Sequence, residues 1–184
     1  MLQWQNEDPA VFCTDVLRAL HLGAKRGVNL AIVGPPGCGK STVLESLDAV
    51  FKTTGKPQRD ASFPFADAIN AEVLLWQEFS WEQKTCAWED LLCLLVGEGF
   101  GVRLPGVPPV THRNQAPMFY TAWAPLRMRC QDVDQMIALN RAMDERFKVR
   151  TWSRPLPQEH RMPSFPKCGA CFAQYILMTA DYRC

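Results

Sequence analysis

Residues 34–41 read GPPGCGKS, and the reading of this octapeptide decides the fold. It fits the pattern GxxxxGK[ST], which carries meaning when a strand precedes it and a helix follows. Residues 28–33, VNLAIV, form a short and mostly apolar run of the kind a buried parallel strand shows. Downstream, Val43, Leu44, Leu47, Val50 and Phe51 fall on one helical face, and Gly55 closes the helix. Gly34, Gly37 and Gly39 permit backbone angles that aim N–H groups inward, making a nest for phosphate oxygens. The helix that begins near Lys40 adds its positive end. Lys40 is expected to reach the β and γ phosphates of a nucleotide, and the Ser41 hydroxyl to ligate Mg²⁺. Thr42 is placed to touch the α phosphate. Pro35, Pro36 and Cys38 complete the loop.

Working outward, the pattern is strand–helix alternation. Asp8-Pro9 is a cap followed by proline at a first helical position. Phe12, Val16, Ala19 and Leu20 follow at helical spacing up to Gly23. Residues 72–77 contain Val73-Leu74-Leu75-Trp76, a second buried strand. Ser80 and Gln83 have capping-box spacing ahead of a helix with Trp88, Leu91, Leu92 and Leu95 on one stripe. Residues 97–117, rich in Gly and Pro, read as a hairpin or long loop. Residues 118–121 are a third strand, 131–144 a helix and 147–152 a last strand. From Pro155 the chain is proline-rich and wraps the domain. The expectation is a three-layer α/β/α domain with a largely parallel sheet spanning residues 1–154, plus a tail of residues 155–184 packed on it.

A phosphate loop of this kind needs a carboxylate at the end of a neighbouring strand. Gln77-Glu78 ends the Val73–Trp76 run. Gln77 can hydrogen-bond water but brings no charge. Glu78 is the candidate for general base or for the metal role.

The chain has 184 residues, 47% hydrophobic and 21% charged, which excludes a wholly disordered or collagen-like protein. No run of eighteen apolar residues marks a membrane span, and MLQWQNEDPAVF shows no secretory signal. Eight scattered cysteines read as reduced thiols of an intracellular protein. Net charge is +1 but unevenly spread: residues 1–100 carry −5 and residues 101–161 carry +5. A basic second half suits a polyanionic partner.

The ordered pieces GPPGCGKS (34–41), FPFADAIN (63–70), VLLWQEF (73–79), GFGVRLPG (99–106), PMFYTAW (117–123) and DERFKVRTW (144–152) resemble the superfamily 3 helicase domain. That domain belongs to the AAA+ class, and the version closest here is that of parvoviral replication initiators. The resemblance covers about residues 10 to 160. It implies an ATP- and Mg²⁺-dependent ATPase that assembles into rings, commonly hexamers, and acts on single-stranded DNA, with a nuclear location in a host cell. It implies ATP on Lys40 and Ser41, metal on Ser41 and Glu78, and a DNA-touching hairpin over residues 101–113 with Arg103, His112 and Arg113. It also implies an arginine at or near Arg146, with Arg141 as the other candidate, that reaches into a neighbouring subunit's nucleotide. The sequence departs from the family at Gln77, where a first acid is usual, and at Trp123, where the family has a polar sensor. The chain resembles no origin-binding or nicking domain and reads as a fragment or a stand-alone ATPase.

Two other readings stand beside the helicase. One is a nucleotide-binding scaffold without turnover, favoured by Gln77 and Trp123. The other is a small nucleoside or nucleotide kinase, disfavoured because no arginine-rich lid is evident. Cys168 and Cys171 have CxxC spacing. His160 and Cys184 are the residues that would complete a zinc set with them, but a single CxxC favours an unmetallated thiol pair.

Overall fold

A computed structural model describes residues 1–158 and 168–181. Five strands form one sheet, β1 (Asn29–Val33), β2 (Thr53–Thr54), β3 (Val73–Trp76), β6 (Met118–Ala122) and β7 (Phe147–Thr151). Their order is β2-β3-β6-β1-β7 and every neighbouring pair is parallel. Two further strands, β4 (Gly99–Leu104) and β5 (Val107–Arg113), pair antiparallel as a separate hairpin. The helices are α1 (Pro9–Leu22), α2 (Lys40–Leu44), α3 (Trp88–Val96), α4 (Val133–Asp144) and α5 (Gly169–Thr179).

Alternation along the strands makes the three layers. Side chains two residues apart on a strand share a face. Ala31, Val33, Leu74, Trp76, Met118 and Tyr120 pack with Trp88, Leu91, Leu95 and Met143 of α3 and α4. Leu30, Ile32, Val73, Leu75 and Phe119 pack on the opposite face with Phe12, Val16, Leu44 and Ile176 of α1, α2 and α5. The three central strands, β3, β6 and β1, are therefore buried on both faces, as their mostly apolar runs require, while the edge strands β2 and β7 are partly exposed. Asn29 is fully buried in β1. Its amide donates to the Leu95 and Arg146 carbonyls at 2.9 and 3.2 Å and accepts from the Met118 N–H at 2.8 Å.

The first helix follows its sequence signals. The Asp8 carboxylate accepts from the Ala10 N–H at 2.8 Å, and Gly23 ends the helix with its N–H on the Ala19 carbonyl. The second helix is shorter than its apolar pattern suggests. It runs α-helical only to Leu44 and continues as a 3-10 helix over Glu45–Ala49. A three-residue repeat stacks Leu44 over Leu47, and both are fully buried. The capping box expected at Ser80 and Gln83 does not form. Residues 80–87 instead turn back on α3, which opens at Trp88 after Ala87 with no side-chain cap. Trp81 stacks edge-on to Trp88 at 4.9 Å and donates from its indole to the Cys86 carbonyl. Aromatic packing thus sets this helix start where a cap was expected. Past β7, the Leu156 N–H donates to the Gly37 carbonyl at 2.8 Å, so the segment after the sheet closes over the glycine loop.

Candidate functional site

The loop between β1 and α2 leaves the sheet at Gly34, whose φ is +150°. A Cβ there would lie 1.8 Å from the Trp152 carbonyl oxygen, so only glycine fits. The Gly34 N–H donates to the Ala122 carbonyl at 3.0 Å, which fixes the loop to the end of β6. Gly39 opens α2 in the left-handed region, at φ +87°. Cys38 is fully buried and donates from its thiol to the Pro35 carbonyl at 2.6 Å. From the N-terminal turn, the Gln5 amide donates to the Cys38 carbonyl at 3.1 Å. The loop is thus braced from both sides. Because α2 spans only five residues, a phosphate placed here would meet the loop amides and Lys40 more than an extended helix dipole.

Lys40 is 4% exposed. Its ammonium donates to the Gly34 and Pro35 carbonyls, at 2.8 Å each, and lies 4.0 Å from Glu78 Oε1. The structure therefore brings together the two residues on which the sequence reading placed most chemistry. Ser41 and Thr42 follow in the first turn of α2, Ser41 partly buried and Thr42 exposed. A hydroxyl and a carboxylate are hard oxygen donors of the type Mg²⁺ takes, and Ser41 with Glu78 fits that donor set.

Glu78 sits just past β3 with φ +48°, a left-handed conformation that costs an L-residue roughly 1–2 kcal/mol. Two contacts hold it there. Its N–H donates to Thr121 Oγ1 at 2.9 Å, and its carbonyl accepts from Lys56 Nζ at 2.7 Å. The next N–H, of Phe79, donates to the Thr121 carbonyl at 2.8 Å. The turn projects the carboxylate into solvent beside Lys40, its side chain 63% exposed. Thr121 and Lys56 are absent from the sequence reading. The available signal was the aliphatic hydroxyl of Thr121 in the mostly apolar run MFYTA, fully buried in β6.

Other expected residues lie elsewhere. Arg146 is 5% exposed, and its guanidinium donates to the Leu92 and Ala142 carbonyls. Burial pulls its pKa below the ordinary arginine value, with the Arg26 charge adding to the effect. Expected to project towards a neighbouring subunit, Arg146 within this chain braces α3 against α4. Arg141 is the exposed arginine of α4, paired with Glu145 at 3.4 Å. Trp123 follows β6 with 67% of its surface exposed.

On the hairpin, Gly99 pairs with Arg113 and Phe100 with His112. Successive side chains on a strand point to opposite faces. Arg103 and Arg113 accordingly share the outer face with Gly99 and Gly101, and both are exposed. His112 belongs to the other face. It lies edge-on to Phe100 at 6.1 Å, with its Nε2 buried and unpartnered. Burial lowers its pKa and so disfavours its charged form.

Cys168 and Cys171 are exposed at the start of α5 with their sulfurs 2.9 Å apart. Among the described residues no group of three or more His, Cys, Asp or Glu side chains is placed to hold a metal. His160 and Cys184 lie outside the described residues. No described helix is long and apolar enough to cross a membrane.

No protein-family model matches the chain. Among solved structures it is similar to the apo C-terminal region of NrS-1, with a TM-score of 0.59 and 15% identity over 97% of this chain and 41% of that one. It is also similar to the JCV helicase, with a TM-score of 0.54 and 12% identity over 97% of this chain and 51% of that one. The chain shares its α/β fold, with the parallel sheet, with these two structures. Local sequence similarity is to proteins of another kind. A 63-residue stretch is 40% identical to the aliphatic sulfonates import ATP-binding protein SsuB of Pseudomonas fluorescens, covering 34% of this chain and 24% of that protein. A 41-residue stretch is 44% identical to multidrug resistance protein pgp-1 of Caenorhabditis elegans, covering 22% of this chain and 3% of that one. The chain thus spans a quarter or less of these curated relatives. Neither set of matches singles out the parvoviral likeness.

Proposed function

We propose that this chain binds ATP with Mg²⁺ at residues 34–42, hydrolyses it with Glu78 as general base, and serves as the ATPase module of a DNA helicase. The observation that carries the reading is the placement of Lys40 Nζ on two loop carbonyls and 4.0 Å from Glu78 Oε1, at the ends of parallel strands. An ammonium resting on neutral carbonyls gains by exchanging them for anionic phosphate oxygens, because charge-assisted hydrogen bonds are about twice as strong. The loop N–H groups orient the phosphate tail. Glu78, exposed beside Lys40, accepts a proton from an attacking water, and Thr121 holds the turn that aims it. Gln77 brings no charge, so Glu78 is the acid of the pair. Mg²⁺ would be held by Ser41 and would supply charge neutralisation on the phosphates, with Glu78 left to act as the base.

Single-stranded DNA is the proposed polyanionic partner, met by the outward arginines of the hairpin, Arg103 and Arg113. Two cations per chain bind weakly unless copies combine, which favours a homo-oligomeric ring, a hexamer in the family the chain resembles. A cell nucleus is the setting this reading favours.

A second reading, binding without turnover, is favoured by the burial of Arg146 and the exposed Trp123 at the sensor position. Steady-state ATP hydrolysis with and without single-stranded DNA separates the two, run beside Lys40→Ala and Glu78→Gln. Hydrolysis stimulated by DNA, abolished by Lys40→Ala and by Glu78→Gln, supports the motor. Tight ATP uptake with no phosphate release under either condition selects the scaffold. An oligomer that hydrolyses ATP but cannot open a forked duplex refutes the helicase assignment.

A further inference from the structure

The pair Cys168 and Cys171 has no part in the nucleotide site, yet its geometry is built for chemistry. The thiols stand three residues apart on the first turn of α5, one turn of helix, so they share a face. Their sulfurs are 2.9 Å apart and both side chains are exposed. Cys168 is the N-cap residue, and its sulfur accepts from the Cys171 N–H at 3.2 Å. This turn is fixed to the domain. A Cβ on Gly169 would lie 2.8 Å from the Ala49 carbonyl oxygen, so the backbone abuts the 3-10 segment after α2. Further along, Ile176 is buried against α1, and the Asp181 N–H donates to Thr14 Oγ1 at 2.8 Å.

The remaining described cysteines contrast with this pair. Cys13, Cys38 and Cys86 are buried, and Cys93 and Cys130 are half-buried. Burial pushes the Cys13 thiol up to about 11 and the Cys86 thiol up to about 12. Cys168 moves the other way, its thiolate favoured first by the hydrogen bond from the Cys171 thiol and then by backbone N–H groups. Cys171 is raised by the same hydrogen bond. One sulfur is thus the nucleophile and the other the waiting partner, the division of labour of an exchanging dithiol.

We propose that Cys168 and Cys171 form a reversible dithiol–disulfide couple that exchanges with low-molecular-weight disulfides of the glutathione class. The Cys168 thiolate attacks one sulfur of the reagent, forming a mixed disulfide and expelling one reagent thiolate. Cys171 gives its proton to solvent and attacks the Cys168 sulfur, and the second reagent thiolate leaves. The two cysteines lose two electrons and two protons, and the reagent disulfide becomes two thiols.

The test uses the full chain equilibrated in mixtures of glutathione and glutathione disulfide, acid-quenched, alkylated and mapped by mass spectrometry. The peptide carrying both residues is expected to lose two hydrogens as the disulfide fraction rises and to recover them when it falls. Cys171→Ser is expected to trap glutathione on Cys168, while Cys168→Ser takes it up on Cys171 at least about tenfold more slowly. Both side chains are exposed, so neither variant disturbs the core; circular dichroism checks this. The proposal is overturned if both thiols stay free at every ratio, or if each is glutathionylated without closing the bond. Equal uptake rates in the two variants refute the assigned order. Stoichiometric Zn²⁺ binding that blocks alkylation of both thiols overturns it in favour of a metal site.

Discussion

Replacing Thr121 by valine keeps the size and shape of a fully buried side chain and removes one oxygen. That oxygen accepts the Glu78 N–H at 2.9 Å. Losing the acceptor leaves a part-buried N–H unpaired, at a cost of about 1–3 kcal/mol. The bond also maintains Glu78 at φ +48°, a conformation that by itself costs roughly 1–2 kcal/mol. Once the restraint is gone the turn relaxes towards ordinary backbone angles, and the carboxylate leaves its position beside Lys40. If about 1.4 kcal/mol of the positioning is lost, kcat falls about tenfold. The phosphate loop is untouched, because Gly34 is tied to the Ala122 carbonyl and Lys40 to its own loop. ATP affinity is therefore expected to stay within about twofold. The assay pairs steady-state phosphate release with calorimetric ATP binding. Thr121→Ser, which keeps the hydroxyl, is the control and is expected to hydrolyse nearly as well as the wild type. Valine as active as threonine, or serine as impaired as valine, would refute the assignment of Thr121 as a positioning residue.

Three further outcomes follow from the same geometry. Arg146→Ala removes the guanidinium's hydrogen bonds to the Leu92 and Ala142 carbonyls and opens a cavity, so it is expected to destabilise the domain by about 2–4 kcal/mol in urea unfolding. A variant with unchanged stability and lost hydrolysis would restore the intersubunit role. Arg103→Ala and Arg113→Ala are each expected to reduce the salt slope of single-stranded DNA binding by about 0.7, while His112→Ala leaves it unaltered. His112 is also a stability group. Its folded pKa lies below its unfolded value, so the unfolded chain binds more protons as pH falls. The contribution is present above the unfolded value, roughly 6.5, and is lost as pH drops below it. Tm measured across that range should fall less steeply in His112→Phe than in the wild type, and parallel curves would refute the burial argument.

The sequence by itself determined the fold class and the phosphate loop. Both rest on local rules: an apolar run before the loop, glycines where N–H groups must point inward, and a lysine at the first position of a helix. Strand–helix alternation was equally legible, because strands buried on both faces have mostly apolar runs. Only the tertiary structure decided which distant residues meet. Thr121 and Glu78 are forty-three residues apart and touch because β3 and β6 are neighbours in the sheet. Arg146 reads as an exposed charge in DERF, and it is buried because the carbonyls of α3 and α4 converge on its guanidinium. Ser80 and Gln83 have the right spacing for a cap, but the contact of Trp81 with Trp88 outweighs it. His112 and Arg113 look alike in sequence, and the register of the hairpin sends them to opposite faces. Backbone geometry and apolar periodicity are encoded within a few residues. Contacts between elements depend on which faces the sheet brings together, and that is set by the whole chain packing at once.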